Sequence, residues 1–225
     1  MQTHPVSLTI ALPSGGTTSG LLQAPASAKA CYVLAHGAGA GMNHAFMASI
    51  AQGLAERSIA SLRFNFPFME QGSKRPDSPA VAHAAVRAAV AEATRHMPAG
   101  VPLFAGGKSY GGRMSTQAQA AEPLPGVKGL VLLGFPLHPA GKPSTERAAH
   151  LEGVKLPMLF LQGTRDGLAD LELITQTTAG LGNKASLYIV DGADHAFHVL
   201  VRSGRTDAQV REELCDTMAA WMTKR

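Results

Sequence analysis

Ser109, Asp166 and His195 are the residues of this chain whose types and order suit acyl transfer. Ser109 stands in Gly107-Lys108-Ser109-Tyr110-Gly111, at the end of an apolar stretch. That is the pattern of a nucleophile elbow, in which a sharp strand-to-helix turn lifts a serine clear of a sheet. Such a turn crowds the positions two before and two after the serine, and glycine removes the offending β-carbons there. With 24 glycines in the chain, chance alone supplies roughly 0.16 such matches, so the surroundings must decide.

A serine hydroxyl is a weak nucleophile at neutral pH. It needs a base within hydrogen-bond reach, and the base needs a partner to hold its tautomer. Sheets that carry an elbow place these groups in the chain order serine, acid, histidine. Asp166, in Gly163-Thr164-Arg165-Asp166-Gly167, and His195, in Asp191-Gly192-Ala193-Asp194-His195-Ala196-Phe197, follow Ser109 in that order. Asp166-Gly167 would also make a plain turn, but it directly follows the apolar run Met158 to Leu161. His198 is a rival base, although it falls where the chain returns to the apolar pattern Phe197-His198-Val199-Leu200. Asp191 and Asp194 are rival acids; Asp194 adjoins His195, and adjacent side chains diverge.

An oxyanion needs two donors, which backbone N–H groups supply without reorganising. One is expected from Tyr110, just after the nucleophile at a helix N-terminus, where the dipole also favours negative charge. The second is expected from His36-Gly37-Ala38-Gly39-Ala40-Gly41, with Ala38 the first choice and Gly39 the alternative. Gly39 and Asn65, on loops after apolar strands, are expected to touch substrate. This glycine loop fits neither a P-loop nor a dinucleotide fingerprint, so no cofactor is expected. The nine histidines include no H-x-x-x-H or H-E-x-x-H pair, and no metal site is expected.

These residues must be held by a scaffold, and the pattern supplies one. Strand and helix signals alternate almost end to end, which predicts a mainly parallel, doubly wound sheet with helices on both faces. The predicted strands are Val6 to Leu12, Gly20 to Gln23, Cys31 to Ala35, Ile59 to Phe66, Val101 to Ala105, Val127 to Leu133, Met158 to Gln162 and Ala185 to Val190. The predicted helices are Ala45 to Arg57, Ala80 to His96, Ser115 to Ala121, Ser144 to Glu152, Ala169 to Gly180 and Asp207 to Met222. Pro67 to Pro79 reads as an exposed loop. Every candidate residue then lies beyond the carboxyl end of a strand, where ligands bind in such sheets. Little sequence remains for a lid.

A chain of 225 residues suits one domain spanning 1–225. Its two cysteines, Cys31 and Cys215, make no disulfide framework and read as small core residues in a reducing compartment. Met1 to Gly20 has no basic head followed by an apolar stretch, and no apolar run approaches membrane-spanning length, so a cytoplasmic protein without membrane contact is expected. The +4 formal charge comes from 20 scattered Lys and Arg, with Lys74-Arg75 and Lys224-Arg225 the only adjacent pairs, which argues against nucleic acid.

Over Val6 to Trp221 the chain resembles an α/β-hydrolase. More narrowly, Ala35-His36-Gly37-Ala38-Gly39, Arg63-Phe64-Asn65-Phe66-Pro67, Gly107 to Arg113 and Gly163-Thr164-Arg165-Asp166 resemble a group of small proteins related to a testis-expressed hydrolase-like protein and to a subunit of a chromatin acetyltransferase complex. In size the chain is similar to dienelactone hydrolases, which use cysteine where this chain has serine. The resemblance implies hydrolase chemistry without settling a substrate; together with the residues above, the leading expectation is a serine hydrolase of small-molecule acyl esters or thioesters, and a monomer or homodimer is expected. The complex subunit implies the alternative of a noncatalytic interaction protein on the same scaffold.

Overall fold

The computed structural model describes residues 4–225. Residues 1–3, where the segment read for a leader begins, lie outside them. Eight strands, β1 (Val6–Ala11), β2 (Thr17–Gln23), β3 (Ala30–Ala35), β4 (Ile59–Phe64), β5 (Leu103–Lys108), β6 (Val127–Leu133), β7 (Met158–Gly163) and β8 (Ala185–Val190), form one sheet in the order β1-β2-β4-β3-β5-β6-β7-β8. The β1–β2 and β2–β4 pairings are antiparallel, and every other pairing is parallel. The antiparallel hairpin therefore closes one edge of a parallel sheet.

The parallel strands are continuous apolar runs because helices cover both faces. Alternate side chains go to opposite cores. In β3, Cys31, Val33 and Ala35 join one core while Ala30, Tyr32 and Leu34 join the other. In β7, Met158 and Phe160 divide from Leu159 and Leu161 in the same way. Helices α1 (Ala45–Glu56) and α6 (Asp207–Thr223) pack on the second core through Met47, Ile50, Leu54, Val210, Leu214 and Met218. Helices α3 (Pro79–His96), α4 (Tyr110–Ala121) and α5 (Leu171–Gly180) pack on the first. Each fully buried Leu, Ile or Phe contributes about 1.5–3 kcal/mol by leaving water. Ala82, Ala85, Ala89 and Ala93 line the buried stripe of α3, and their small side chains let it lie close to the sheet.

The predicted loop between Pro67 and Pro79 begins instead with a single helical turn, α2 (Pro67–Glu70), whose Pro67 and Phe68 are buried. Helix α4 starts five residues earlier than its predicted start at Ser115, directly after Ser109. The predicted helix Ser144 to Glu152 is a 3-10 segment, Glu146–Gly153. Among the described residues, the loops around Ser109 carry only α2, this segment, an antiparallel bridge between Ala193 and Val199 and the 3-10 turn Val201–Ser203, and no lid is inserted.

Candidate active site

Strand β5 and helix α4 meet at Ser109, whose backbone has φ 51° and ψ −114°. A non-glycine residue holds this conformation only when its surroundings impose it. Here the Ser109 N–H donates to Leu133 O at 2.9 Å, and Ser115 Oγ donates to Gly106 O and Gly111 O, tying helix to strand. A β-carbon at Gly107 would lie 2.1 Å from Ala35 O, and one at Gly111 would lie 2.4 Å from the same atom. The two glycines let the elbow press against the end of β3.

The loops beyond β7 and β8 bring the acid and the histidine to this serine. His195 Nε2 is 2.9 Å from Ser109 Oγ, and His195 Nδ1 is 2.7 Å from Asp166 Oδ2. Asp166 is buried and accepts further hydrogen bonds from the Gln162 side chain and the Leu168 N–H. A carboxylate held in this way orients the imidazole with Nδ1–H toward itself and leaves Nε2 free to accept from the hydroxyl.

The rival groups are engaged in shaping the same loop. Asp194 Oδ1 accepts the N–H of Ala196 and of His198. Asp191 accepts from Thr164 Oγ1. His198 pairs with Asp207 at 2.9 Å on the surface, and that carboxylate raises its pKa.

Asn65 is not brought to the cavities. Its Oδ1 accepts the Met42 N–H at 2.9 Å and its Nδ2 donates to Glu70, so it holds the loop after β3. His36 has a similar task. It is buried; Nε2 accepts the Phe66 N–H, so Nδ1–H donates to Gly37 O. Burial lowers its pKa and keeps the ring neutral. Together they set the path of Gly37 to Gly41. Within it, the N–H groups of Ala38 and Gly39 have no acceptor among the described residues, and neither has that of Tyr110, the first residue of α4.

Two cavities meet at Ser109 and Ala38. One, of about 390 Å³, is bordered by Gly37, Gly39, Phe46, Met47, Lys108 and His195. The other, of about 370 Å³, is bordered by Asp77, Tyr110, Met114, Arg113 and Arg147. Among the described residues, no cluster of three or more His, Cys, Asp or Glu side chains is arranged to hold a metal ion.

Two contributors escaped the sequence reading. Gln162 supports Asp166 from the end of β7. Lys108, the last residue of β5, has its stem on the first cavity and its ammonium turned inward, where Nζ donates to His195 O at 2.6 Å and lies 5.5 Å from the centre of the Phe197 ring. Burial pushes its pKa down to about 8, against the pull of Asp166 and Asp194. Phe197 itself adopts φ 63° and stacks on Phe46. The one available signal was an ionisable residue between two elbow positions of an otherwise apolar strand.

A mostly parallel sheet covered by helices on both faces, with a serine on a strained elbow after its central strand, defines an α/β-hydrolase. The chain belongs to the alpha/beta hydrolase domain family, whose model matches residues 28–223. Among solved structures it is similar to a dienelactone hydrolase from Anabaena variabilis, at 20% identity over 100% of this chain and 99% of that one, with a TM-score of 0.78. A lidless a/b serine hydrolase from Xanthomonas campestris is similar at 23% identity, covering 98% and 96% of the two chains, with a TM-score of 0.74. The esterase domain of a Rhodothermus marinus protein is similar at 17% identity over 98% of each chain, with a TM-score of 0.73. Among the described residues, no helix is long and apolar enough to cross a membrane.

Proposed function

We propose that the protein is a serine hydrolase of small acyl esters or thioesters, working through Ser109, His195 and Asp166 and an acyl-enzyme. The observation that carries this reading is the unbroken hydrogen-bond chain from Asp166 through His195 to Ser109, beside backbone N–H groups that have no other acceptor. Ser109 Oγ attacks the carbonyl carbon while His195 Nε2 takes its proton. Collapse of the tetrahedral intermediate breaks the bond to the leaving oxygen or sulfur, which receives that proton from His195. Water then repeats the sequence on the acyl-enzyme and releases the acid. Asp166 stays ionised throughout and stabilises the imidazolium.

The oxyanion donors are assigned to the N–H groups of Tyr110 and Ala38. Ala38 is preferred to Gly39 because Ala38, Ser109 and Tyr110 border one cavity together, whereas Gly39 borders only the other. Gly39 forms part of the wall that a leaving group meets. Both cavities are small, which supports acetyl to butyryl esters over chains of ten carbons or more. A small-molecule substrate, a cytoplasmic monomer or homodimer, and the narrower kinship with the testis-expressed and acetyltransferase-subunit group belong to the same proposal. That kinship rests on the four motif segments alone.

A fluorophosphonate probe reports an activated serine without requiring the substrate. Wild-type protein should label, and Ser109→Ala should not. His195→Ala and Asp166→Asn should each lower kcat on p-nitrophenyl butyrate by roughly 10³- to 10⁶-fold, with far less than additive loss in the double variant. Unchanged labelling of Ser109→Ala, or no labelling of folded wild type, would overturn the assignment. The second outcome would favour a noncatalytic role.

A further inference from the structure

We propose that the cavity bordered by Arg113 and Arg147 is an acyl-side anion subsite, so that the preferred substrates are short monoesters of dicarboxylic acids. This rests on the hydrolase reading above. Arg113 lies on the first turn of α4, just beyond Ser109, and Arg147 comes from the 3-10 segment Glu146–Gly153; both border the cavity that Ser109, Ala38 and Tyr110 share. Neither guanidinium donates a hydrogen bond or joins an ion pair among the described residues, and Arg113 Nε is shielded from solvent without a partner.

Elsewhere most part-buried arginines find acceptors, although Arg63, which donates through Nη1 to Met42 O, keeps an unpartnered Nε, and the half-buried Arg211 has neither a hydrogen bond nor an ion pair among the described residues. Arg57 meets Glu212 and Asp216, Arg205 meets Glu213, and Arg87 donates to the Ala118 and Glu122 carbonyls. Two unpaired guanidinium groups bordering one cavity are costly. Burial and then the charge of Arg147 lower the pKa of Arg113. Asp77, the one carboxylate on the cavity wall, accepts the Phe68 N–H and pairs with neither arginine. A planar carboxylate satisfies such a pair through two-pronged hydrogen bonds.

The side on which that anion sits follows from the chemistry. His195 must reach the leaving atom to protonate it, and His195 borders the other, apolar cavity beside Phe46 and Met47. The leaving alcohol or thiol therefore points there, and the acyl chain points toward the arginines. The cavity of about 370 Å³ accommodates a few carbons and a terminal carboxylate.

The test compares 4-nitrobenzyl hemiglutarate with 4-nitrobenzyl pentanoate, which share a leaving group and differ in the terminal charge. A third ester, 4-carboxybenzyl pentanoate, moves the carboxylate to the leaving side. Wild type should hydrolyse the hemiglutarate with kcat/KM about 10- to 100-fold above the pentanoate, in keeping with one or two charge-assisted hydrogen bonds. Arg147→Gln should erase most of that preference and leave pentanoate turnover within about threefold; Arg113→Gln should do the same if it folds. Equal turnover of the two acyl esters, or a preference for the carboxybenzyl ester, overturns the proposal. Calorimetric binding of the hemiglutarate to Ser109→Ala gives a readout independent of turnover. Tighter binding than the pentanoate, lost on adding Arg147→Gln, upholds the subsite even if wild type hydrolyses neither ester, in which case it is the hydrolase reading that falls. Equal or absent binding of both overturns the subsite.

Discussion

Replacing Lys108 by methionine should move activity and stability in opposite directions. The substitution keeps the stem beside the cavity and deletes only the ammonium. What is lost is one charge-assisted hydrogen bond to His195 O, a bond class worth about 1.5–3 kcal/mol. It holds the loop that presents the base to Ser109, and a displacement near 1 Å at a reacting group costs on the order of 100-fold. We expect kcat on p-nitrophenyl butyrate to fall about 10- to 100-fold, with KM little changed. The burial that lowers the pKa from 10.5 to about 8 shows that the folded protein disfavours the charged form by on the order of 3 kcal/mol, after its attractions to Asp166 and Asp194 are counted. Removing the charge relieves that burden, so Lys108→Met should unfold in urea at an equal or higher midpoint at pH 7. Between pH 8 and 10.5 the unfolded chain retains a proton that the folded one has shed, so wild-type stability should rise with pH across this window. The variant should lack the rise. A variant that keeps kcat within twofold, or loses 2 kcal/mol of stability, would refute the reasoning.

Gly111→Ala drives a β-carbon to within 2.4 Å of Ala35 O and should cost more than about 3 kcal/mol, read from urea denaturation, because two backbones must part to admit it. Ser109→Gly and Ser109→Ala should both be inactive, but the glycine variant should be about 1–2 kcal/mol the more stable, since only glycine is at ease at φ 51°; equal midpoints would show that the elbow stores no strain. Burial, Arg113 and His83 push the pKa of His150 down to about 4. The unfolded chain takes up that proton near pH 6.5 and the folded one only near 4, so stability should fall as the pH drops through that interval. His150→Gln should flatten part of the fall in a series of midpoints measured from pH 7 to 4.

The alternation of apolar strands and alanine-rich helices was legible because the pleat and the helix have different periods and both faces of the sheet are covered. Ser109, Asp166 and His195 could be read because each follows an apolar strand in a fixed order. Other features depend on contacts between distant segments. Gly111 and Gly112 hid the first turn of α4, since glycine disfavours helix unless, as here, another backbone must pass close by. Phe68 marked a loop in a polar stretch until its burial among Phe66 and Tyr110 made a helical turn of it. Asn65 was placed near substrate by its position after β4. Its actual partners, Met42 and Glu70, lie on segments whose approach no local pattern announces. Lys108 and Gln162 act through residues far along the chain, and single-position chemistry cannot reveal such support.

The hairpin at the sheet margin bears on how the chain stays dispersed. Strand β4 is buried along its whole length, and without β2 its outer row of backbone donors and acceptors would be open to any passing strand. Strand β2 satisfies that row, and β1, whose residues are mostly exposed and include Ser7 and Thr9, is left as the outermost ribbon. The consequence is a division of labour along the sheet. Ser109, Asp166 and His195 all follow strands from β5 onward, whereas β2 reaches the loop after β3 only through Thr18 and Ser19, which bind Asn65 and Glu70; removing the first 23 residues should bare the β4 edge and favour edge-to-edge aggregation. The amino-terminal hairpin caps the open edge of the sheet, while the proposed catalytic side chains stand over its other half.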